Sequence, residues 1–377
     1  MNPIAHALAM AVAFITTSVY AETKSTLPYP QPDVVLGEQL LPNEEALVRE
    51  TANIIEKMVR KEANGSKAHR DAHPKAHGCV KAEFQIENDI PNRLAKGVFL
   101  PGKQYAAWIR FSNGNPDASK PDIEGNERGM SIKLLGVQGD KILENERHAS
   151  TQDFIMMSHP VFFMADASNA VSFYEKLEGG PLSKLGIPLA LGWNGTMVLL
   201  KINDLKIANP LQTRYWSPAP IQLGQGDGRQ AIKFSARACK SGGDTIPDKP
   251  SPNFLREAMI NSLNKEDACM EFLIQSKISD KKKVEDARSE WLESDAPFVK
   301  VATIRIPKQK FDTPEQNAFC ENLSFTPWHA IPEHKPLGSL NRLRKVVYDQ
   351  ISVTRHNMNG IERQEPGTIS NLTTYFD

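Results

Sequence analysis

The 377-residue sequence predicts an α+β fold in which an antiparallel β-barrel or strongly curved sheet carries flanking helices. Three observations lead there. Five segments have strand character, several of them alternating apolar and polar residues: 80–86 (VKAEFQI), 105–112 (YAAWIRFS), 129–137 (GMSIKLLGV), 230–238 (QAIKFSARA) and 298–306 (FVKVATIRI). Helical patterns are interposed at 168–178, 253–264 and around Tyr348. No internal repeat and no clear linker divides the chain, so one dominant core is expected.

Taken in order, residues 5–21 (AHALAMAVAFITTSVYA) lack Lys, Arg, Asp and Glu and end in Val19-Tyr20-Ala21. This reads as a signal peptide over 1–21, cleaved before Glu22, and predicts export. An uncleaved anchor is the minority alternative, because only the amino terminus and His6 supply positive charge ahead of the apolar run. Residues 22–66 form an arm that turns helical at NEEALVRETANIIEKMVRKEA, with Asn43 as the expected N-cap. Residues 67–377 form the main domain, and 181–228 reads as Pro- and Gly-rich loops. The last helix starts near Ser339 and stops at Asn359-Gly360, where glycine can adopt the left-handed cap.

Lys plus Arg (45) equals Asp plus Glu (45), so no basic excess draws the chain to nucleic acid or anionic lipid. No other run approaches the roughly 18 apolar residues of a membrane span. The expected partner is a small molecule, with neither nucleic acid nor, after signal cleavage, membrane. Four cysteines, Cys79, Cys239, Cys269 and Cys320, form no CxxC pair, which argues against a zinc ribbon and allows one or two disulfides of open pairing.

The chemistry-bearing residues fall in separate pieces. In RLRKVVYDQISVTR, Arg344 lies four residues before Tyr348 and Arg355 seven after, on one helical face with Ser352 nearby. Positive charge favours a phenolate over a phenol, and a phenolate can ligate ferric haem iron. Upstream, Arg70-x-x-His73 precedes the first strand, where a histidine can serve peroxide chemistry as general acid and base. The second strand puts Trp108, Arg110 and Ser112 on one face, so that Arg110 can hold a carboxylate and Ser112 can orient the ring. Phe162 and Phe163 are available to pack a flat macrocycle.

In this order, Arg70-x-x-His73, Arg110-Phe111-Ser112, Glu127-Arg128-Gly129, Pro160-x-Phe162-Phe163 and Arg344-x-x-x-Tyr348 with Arg355 resemble the haem catalases. The segment TPWHAIPEHKPLGSLNRLRKVVY is similar to the compact bacterial group of catalase-related haem-binding proteins. The resemblance spans about 67–360 and implies a catalase-like antiparallel β-barrel, haem b as cofactor, Tyr348 as iron ligand and His73 as distal acid and base. It further implies that Arg344 stabilises the phenolate, that Arg70, Arg110 and Arg355 pair with haem propionates, and that Phe162 packs the ring. Ser112 would support His73, and Ser158 stands where catalases carry a distal asparagine. The implied activity is reduction or dismutation of hydrogen peroxide or organic hydroperoxides in the bacterial periplasm, with an organic reductant as a further partner and the oligomeric state open.

Departures from the pattern keep alternatives in view. One more residue lies between His73 and Phe84 than in catalases, so His77 competes with His73 for the distal role. Val346 and Gln350 replace the usual neighbours of the tyrosine. A haem-binding or storage protein without turnover is the alternative function, and a non-haem adhesive β-protein a third. Metal ligation by His69, His73 and His77 at four-residue spacing would need a helix that Pro74 disrupts. Gly224 to Gly228 reads as a turn, and the run Lys281 to Lys283 as a solvated helix start or loop.

Overall fold

The computed structural model describes residues 24–240, 242–279, 282–363 and 365–366. The expected signal peptide, 1–21, lies outside them. Nine strands form one antiparallel sheet: β1 (Ala76–Ile86), β2 (Gln104–Asn113), β3 (Arg128–Leu135), β4 (Thr151–Met157), β5 (Tyr215–Trp216), β6 (Ile221–Leu223), β7 (Gln230–Ala238), β8 (Ala268–Ser276) and β9 (Val299–Ile306). The meander β1 to β4 continues through β5 to β7, β8 and β9, and β9 pairs back onto β1. The sheet therefore closes as an eight-stranded barrel, with β6 hydrogen-bonded to β7 at its margin.

Alternation along the strands sorts side chains to the two faces of that wall. Ala107, Ile109 and Phe111 of β2 point into the barrel core, while Ala106, Trp108, Arg110 and Ser112 take the other face. The interior is filled by Phe84, Phe99, Phe154, Phe234 and Phe272, whose neighbouring rings pack as close as 5.0 Å between centroids. A lumen filled in this way leaves no room for a ligand inside, so chemistry has to sit on the outer wall.

Seven α-helices surround the barrel among the described residues: α1 (Glu44–Ala63), α2 (Ala167–Glu178), α3 (Pro181–Lys184), α4 (Ile187–Asn203), α5 (Phe254–Leu263), α6 (Pro314–Asn322) and α7 (Ser339–Asn359). Helices α1, α2, α4 and α7 enclose a second core that includes Ile55, Phe163, Phe173, Leu191, Val346 and Ile351. The dominant core expected from sequence lies inside the barrel, and a second, smaller cluster fills the space between its wall and the helices. Among the described residues no helix is long and apolar enough to cross a membrane.

Helix α7 is tied down at its first turn. Arg342, 1% exposed at its side chain, contacts three carboxylates: Glu38 and Glu44 at 2.6 Å each and Glu285 at 2.8 Å. The Trp328 indole N–H donates to the Asn341 carbonyl at 2.7 Å. The far end stops at Gly360 (φ 63°), the left-handed cap expected from the sequence.

Three expectations need correction. Residues 181–228 are not all loop, because they contain α3 and α4. Helix α4 escapes periodicity since it is apolar nearly all round, with Leu189 and Trp193 89% and 79% exposed, and since Gly192 (φ 66°, ψ 178°) breaks its path. Asn43 stands at the start of α1 but makes no side-chain cap, because its own backbone is left-handed (φ 56°); Glu44 accepts the Leu41 N–H instead. Lys282 is buried against Asp295 at 3.0 Å rather than solvated, whereas Lys281 lies outside the described residues. The open cysteine pairing resolves into Cys79–Cys320, joining β1 to α6, and Cys239–Cys269, joining the end of β7 to β8.

Buried histidines weaken the fold in acid, His77 and His334 among them. Burial pushes His77 and His334 down to about 3, so both stay neutral in the folded protein while their unfolded counterparts protonate near 6.5. Between those values the unfolded state binds more protons, so stability falls as pH falls below 6.5, by up to about 3 kcal/mol per pH unit for the pair. Urea unfolding between pH 7 and 5 should show this slope, and His334→Gln should flatten part of it.

Candidate active site

His73 sits in the loop that delivers the chain to β1, with φ 57°. A left-handed backbone at a histidine is sparsely populated and has to be held by its surroundings. Here the Arg110 guanidinium donates to the His73 carbonyl at 2.7 Å and to the Pro74 carbonyl at 3.4 Å. The ring is braced in turn: Ser112 Oγ lies 3.2 Å from His73 Nδ1. Gly129, opposite Ser112 on β3, completes the seat, since a Cβ there would come within 2.7 Å of Nδ1 and 2.8 Å of Ser112 Oγ.

A β-bulge sends His73 and His77 to different surroundings. The β1–β2 register shifts between Ala76 and Gly78, leaving His77 as the unpaired extra residue. Its side chain turns away into a buried network, with Nε2 2.8 Å from Asn113 Oδ1 and Nδ1 3.8 Å from Asp122, which Lys75 also pairs at 2.8 Å. The additional residue noticed in the sequence is therefore absorbed by the bulge and leaves His73 at the wall. His69 is exposed, and residues 67–75 are not helical, so the three histidines form no metal site.

Tyr348 comes from α7. Arg344, one turn earlier, places Nε and Nη2 each 3.2 Å from the Tyr348 hydroxyl, while its Nη1 donates to Asn341 Oδ1 at 3.1 Å. The two guanidinium N–H groups converge on one oxygen, which places a charged donor pair at the phenol. Ser352 does not join them, because its hydroxyl lies 3.4 Å from His356 Nδ1.

Several groups connect these two ends. Burial, followed by the positive charges of Arg110, Arg344 and Arg128, lowers His73 to about 3, so its imidazole is neutral and an available proton acceptor at neutral pH. The field of Arg344 thus reaches His73 from the tyrosine side. Tyr174 of α2 is pushed up by burial and by the carboxylates of Asp71 and Glu127 together with Tyr348. Burial pushes Asp71 up to about 6 and also raises Glu127. Asp71, His73, Glu127 and Tyr174 are desolvated, and these four, like Phe162 and Tyr348, are half-buried rather than fully enclosed. Asp71, Glu127, Tyr174 and Gly129 were not picked out as site residues from the sequence, since only the packing of α2 and β3 brings them here.

The cations form a second group. Arg70 and Arg355 converge on Glu321 at 2.8 and 3.0 Å, and Arg70 also donates to the Leu323 carbonyl at 2.7 Å. Arg110 is lowered to about 9 by burial and by the neighbouring charges of Arg70 and Arg355, against which only Glu321 acts. Its Nε has no hydrogen-bond partner. Three guanidiniums therefore share one carboxylate, an excess of buried positive charge that suits a dianionic ligand. Phe162 packs on Phe163 with centroids 4.5 Å apart and shows one partly exposed face to the cleft. Ser158 does not approach His73; its hydroxyl oxygen accepts the Arg128 N–H at 2.8 Å, and its own N–H donates to the Arg128 carbonyl.

The residues present fit a haem. A phenol oxygen met by two guanidinium donors, a neutral imidazole, a flat aromatic surface and an under-neutralised arginine cluster with an orphaned N–H are groups that would suit the iron, the macrocycle and two propionates. Gly129→Ala should displace the His73 ring while leaving Tyr348 alone. A crystal structure or histidine NMR spectrum of Gly129→Ala is expected to show the His73 ring moved off Ser112, with the Arg344–Tyr348 contacts unchanged.

No protein-family model and no curated protein matches the sequence. Solved structures do. A fungal catalase superposes with a TM-score of 0.63 at 16% identity, covering 92% of this chain and 70% of that one. Catalase A from Saccharomyces cerevisiae gives 0.62 at 16% identity, covering 92% and 72%. A bacterial catalase gives 0.55 at 13% identity, covering 93% and 70%. With its closed antiparallel barrel and enclosing helices, the chain has the catalase-like fold.

Proposed function

We propose that this protein is an exported, haem-dependent oxidoreductase that reduces or dismutates hydrogen peroxide or organic hydroperoxides. The observation that carries the reading is the convergence of two Arg344 N–H groups on the Tyr348 hydroxyl, with His73, braced by Ser112, within the field of the same guanidinium. Tyr348 would hold haem b at its iron and Arg70, Arg110 and Arg355 would hold its propionates, and the bound haem would supply the two-electron chemistry that peroxide cleavage requires.

The protein's own part is proton handling and positioning. With Nδ1–H turned to Ser112, His73 Nε2 carries a lone pair able to accept the proton from one peroxide oxygen and return it to the other as the O–O bond breaks. The neutral ring is the form that can begin this cycle, and its lowered pKa keeps it neutral to well below pH 6. Arg110 fixes the His73 main chain, and Gly129 allows the ring to lie flat against β3. Export to the periplasm agrees with the pairing of all four cysteines in disulfides.

A second reading, haem binding or storage without turnover, is favoured by one observation. The Ser158 oxygen accepts a main-chain N–H rather than facing His73, so no side chain from that position orients peroxide beside the imidazole. The two readings separate in one experiment. Under the enzymatic reading, His73→Ala lowers peroxide turnover by about 10² to 10⁴ with haem uptake unchanged, and Tyr348→Phe weakens uptake itself. Turnover that is negligible in the native haem-loaded chain, or equal in His73→Ala, would leave only the storage reading.

A further inference from the structure

Away from the haem cleft, on the outer face of β3 and β4, a second cluster of ligating side chains has no part in the chemistry above. His329, 1% exposed, lies in the segment before α7. Its Nδ1 is 2.8 Å from Asp153 Oδ2 on β4, and Asp153 is itself held by Lys133 on β3 at 2.9 Å. The opposite ring nitrogen, Nε2, is buried without a hydrogen-bond partner. It faces Glu146 Oε2, with which it is in contact, and Glu365 Oε1 at 3.9 Å, and both of those oxygens are likewise buried and unpartnered. The three ligand atoms lie within 4.8 Å of one another.

We infer that Glu146, His329 and Glu365 form a binding site for a divalent first-row transition-metal ion, separate from the haem. The donor set of one imidazole nitrogen and two carboxylate oxygens suits zinc, cobalt or manganese better than magnesium or calcium, which prefer oxygen alone. Asp153 supplies what a metal-bound histidine ordinarily has, a carboxylate that accepts Nδ1–H and leaves the Nε2 lone pair free. The other oxygens of the two glutamates are already oriented: Glu365 Oε2 accepts from Lys133 at 2.7 Å and from Thr151 at 3.0 Å, and Glu146 Oε1 contacts Arg363.

Charge points the same way. Three carboxylates face two cations, Lys133 and Arg363, and a fourth carboxylate, Asp349, lies 3.6 Å from Arg363, so negative charge remains for a metal ion to neutralise. The competing arrangement is a proton in place of the ion: Lys133 Nζ is 3.1 Å from Nδ1, and donation from it would put the ring proton on Nε2, pointing at Glu146. Half-buried Glu146 and Glu365 leave the cluster an approach from solvent.

Titration calorimetry of the full chain, stripped with chelator and carrying no affinity tag, tests the assignment with Zn²⁺ and with Mg²⁺ as control. One equivalent of Zn²⁺ is expected to bind with haem present or absent, and Co²⁺ should give a visible spectrum of mixed nitrogen and oxygen ligation. Glu146→Gln, at the accessible side, should weaken Zn²⁺ by at least about tenfold and leave far-UV circular dichroism unchanged. Asp153→Asn should weaken it about 10- to 100-fold while sparing stoichiometry. No binding by the native chain, or binding undiminished in both Glu146→Gln and His329→Gln, would overturn the site in favour of the protonated network.

Discussion

The position of α7 depends on one buried guanidinium. Arg342 gathers Glu38 from the N-terminal arm, Glu44 from the first turn of α1 and Glu285 from the long β8–β9 connection onto the first turn of the helix that carries Tyr348. Taking the four charges out of water is costly, and their mutual attraction offsets that cost only while all are present. Removing the arginine would leave three carboxylates without their cation, a loss of the order of 3–5 kcal/mol. The arm is therefore part of the active architecture: it holds the tyrosine helix against the barrel wall.

From that anchor the cleft follows as a problem of charge. Arginines approach from three directions, Arg344 along α7, Arg110 through the wall, and Arg70 and Arg355 across Glu321. Burial, reinforced by Arg110 and Arg344, keeps the histidine neutral, and the arginines together favour anions in the space between wall and helix. The same field favours carboxylates beside Arg110, where the guanidinium Nε has no hydrogen-bond partner. The barrel contributes rigidity, because its aromatic interior fixes β2 and β3, and with them Ser112 and Gly129, in register.

Much of this was legible in the sequence wherever the signal is local. Strands β1, β2, β3, β7 and β9 were readable as strands, several by clear alternation. Strand β4 was not, because it is buried on both faces and lost its alternation, and neither was β8, whose inner half is buried in a continuous run. Tyr348 and Arg344 were visible as a one-turn pair, and Arg70-x-x-His73 with Ser112 as pieces of a familiar pattern. Their partners were hidden by sequence distance: Glu321 stands 251 residues from Arg70, and the bulge that chooses His73 over His77 exists only in the pairing with β2. The Ser158 oxygen, expected beside the histidine, serves the backbone of β3 because continuation of the β3–β4 ladder brings the Arg128 N–H to it.

The central claim is that the Tyr348 oxygen holds the iron. Resonance Raman spectroscopy of the haem-loaded protein, prepared with natural and with ring-deuterated tyrosine, tests it most directly. Phenolate ring modes that shift with the isotope and vanish in Tyr348→Phe are the expected result. A spectrum of histidine-ligated haem without such modes, unchanged by the substitution, would contradict it.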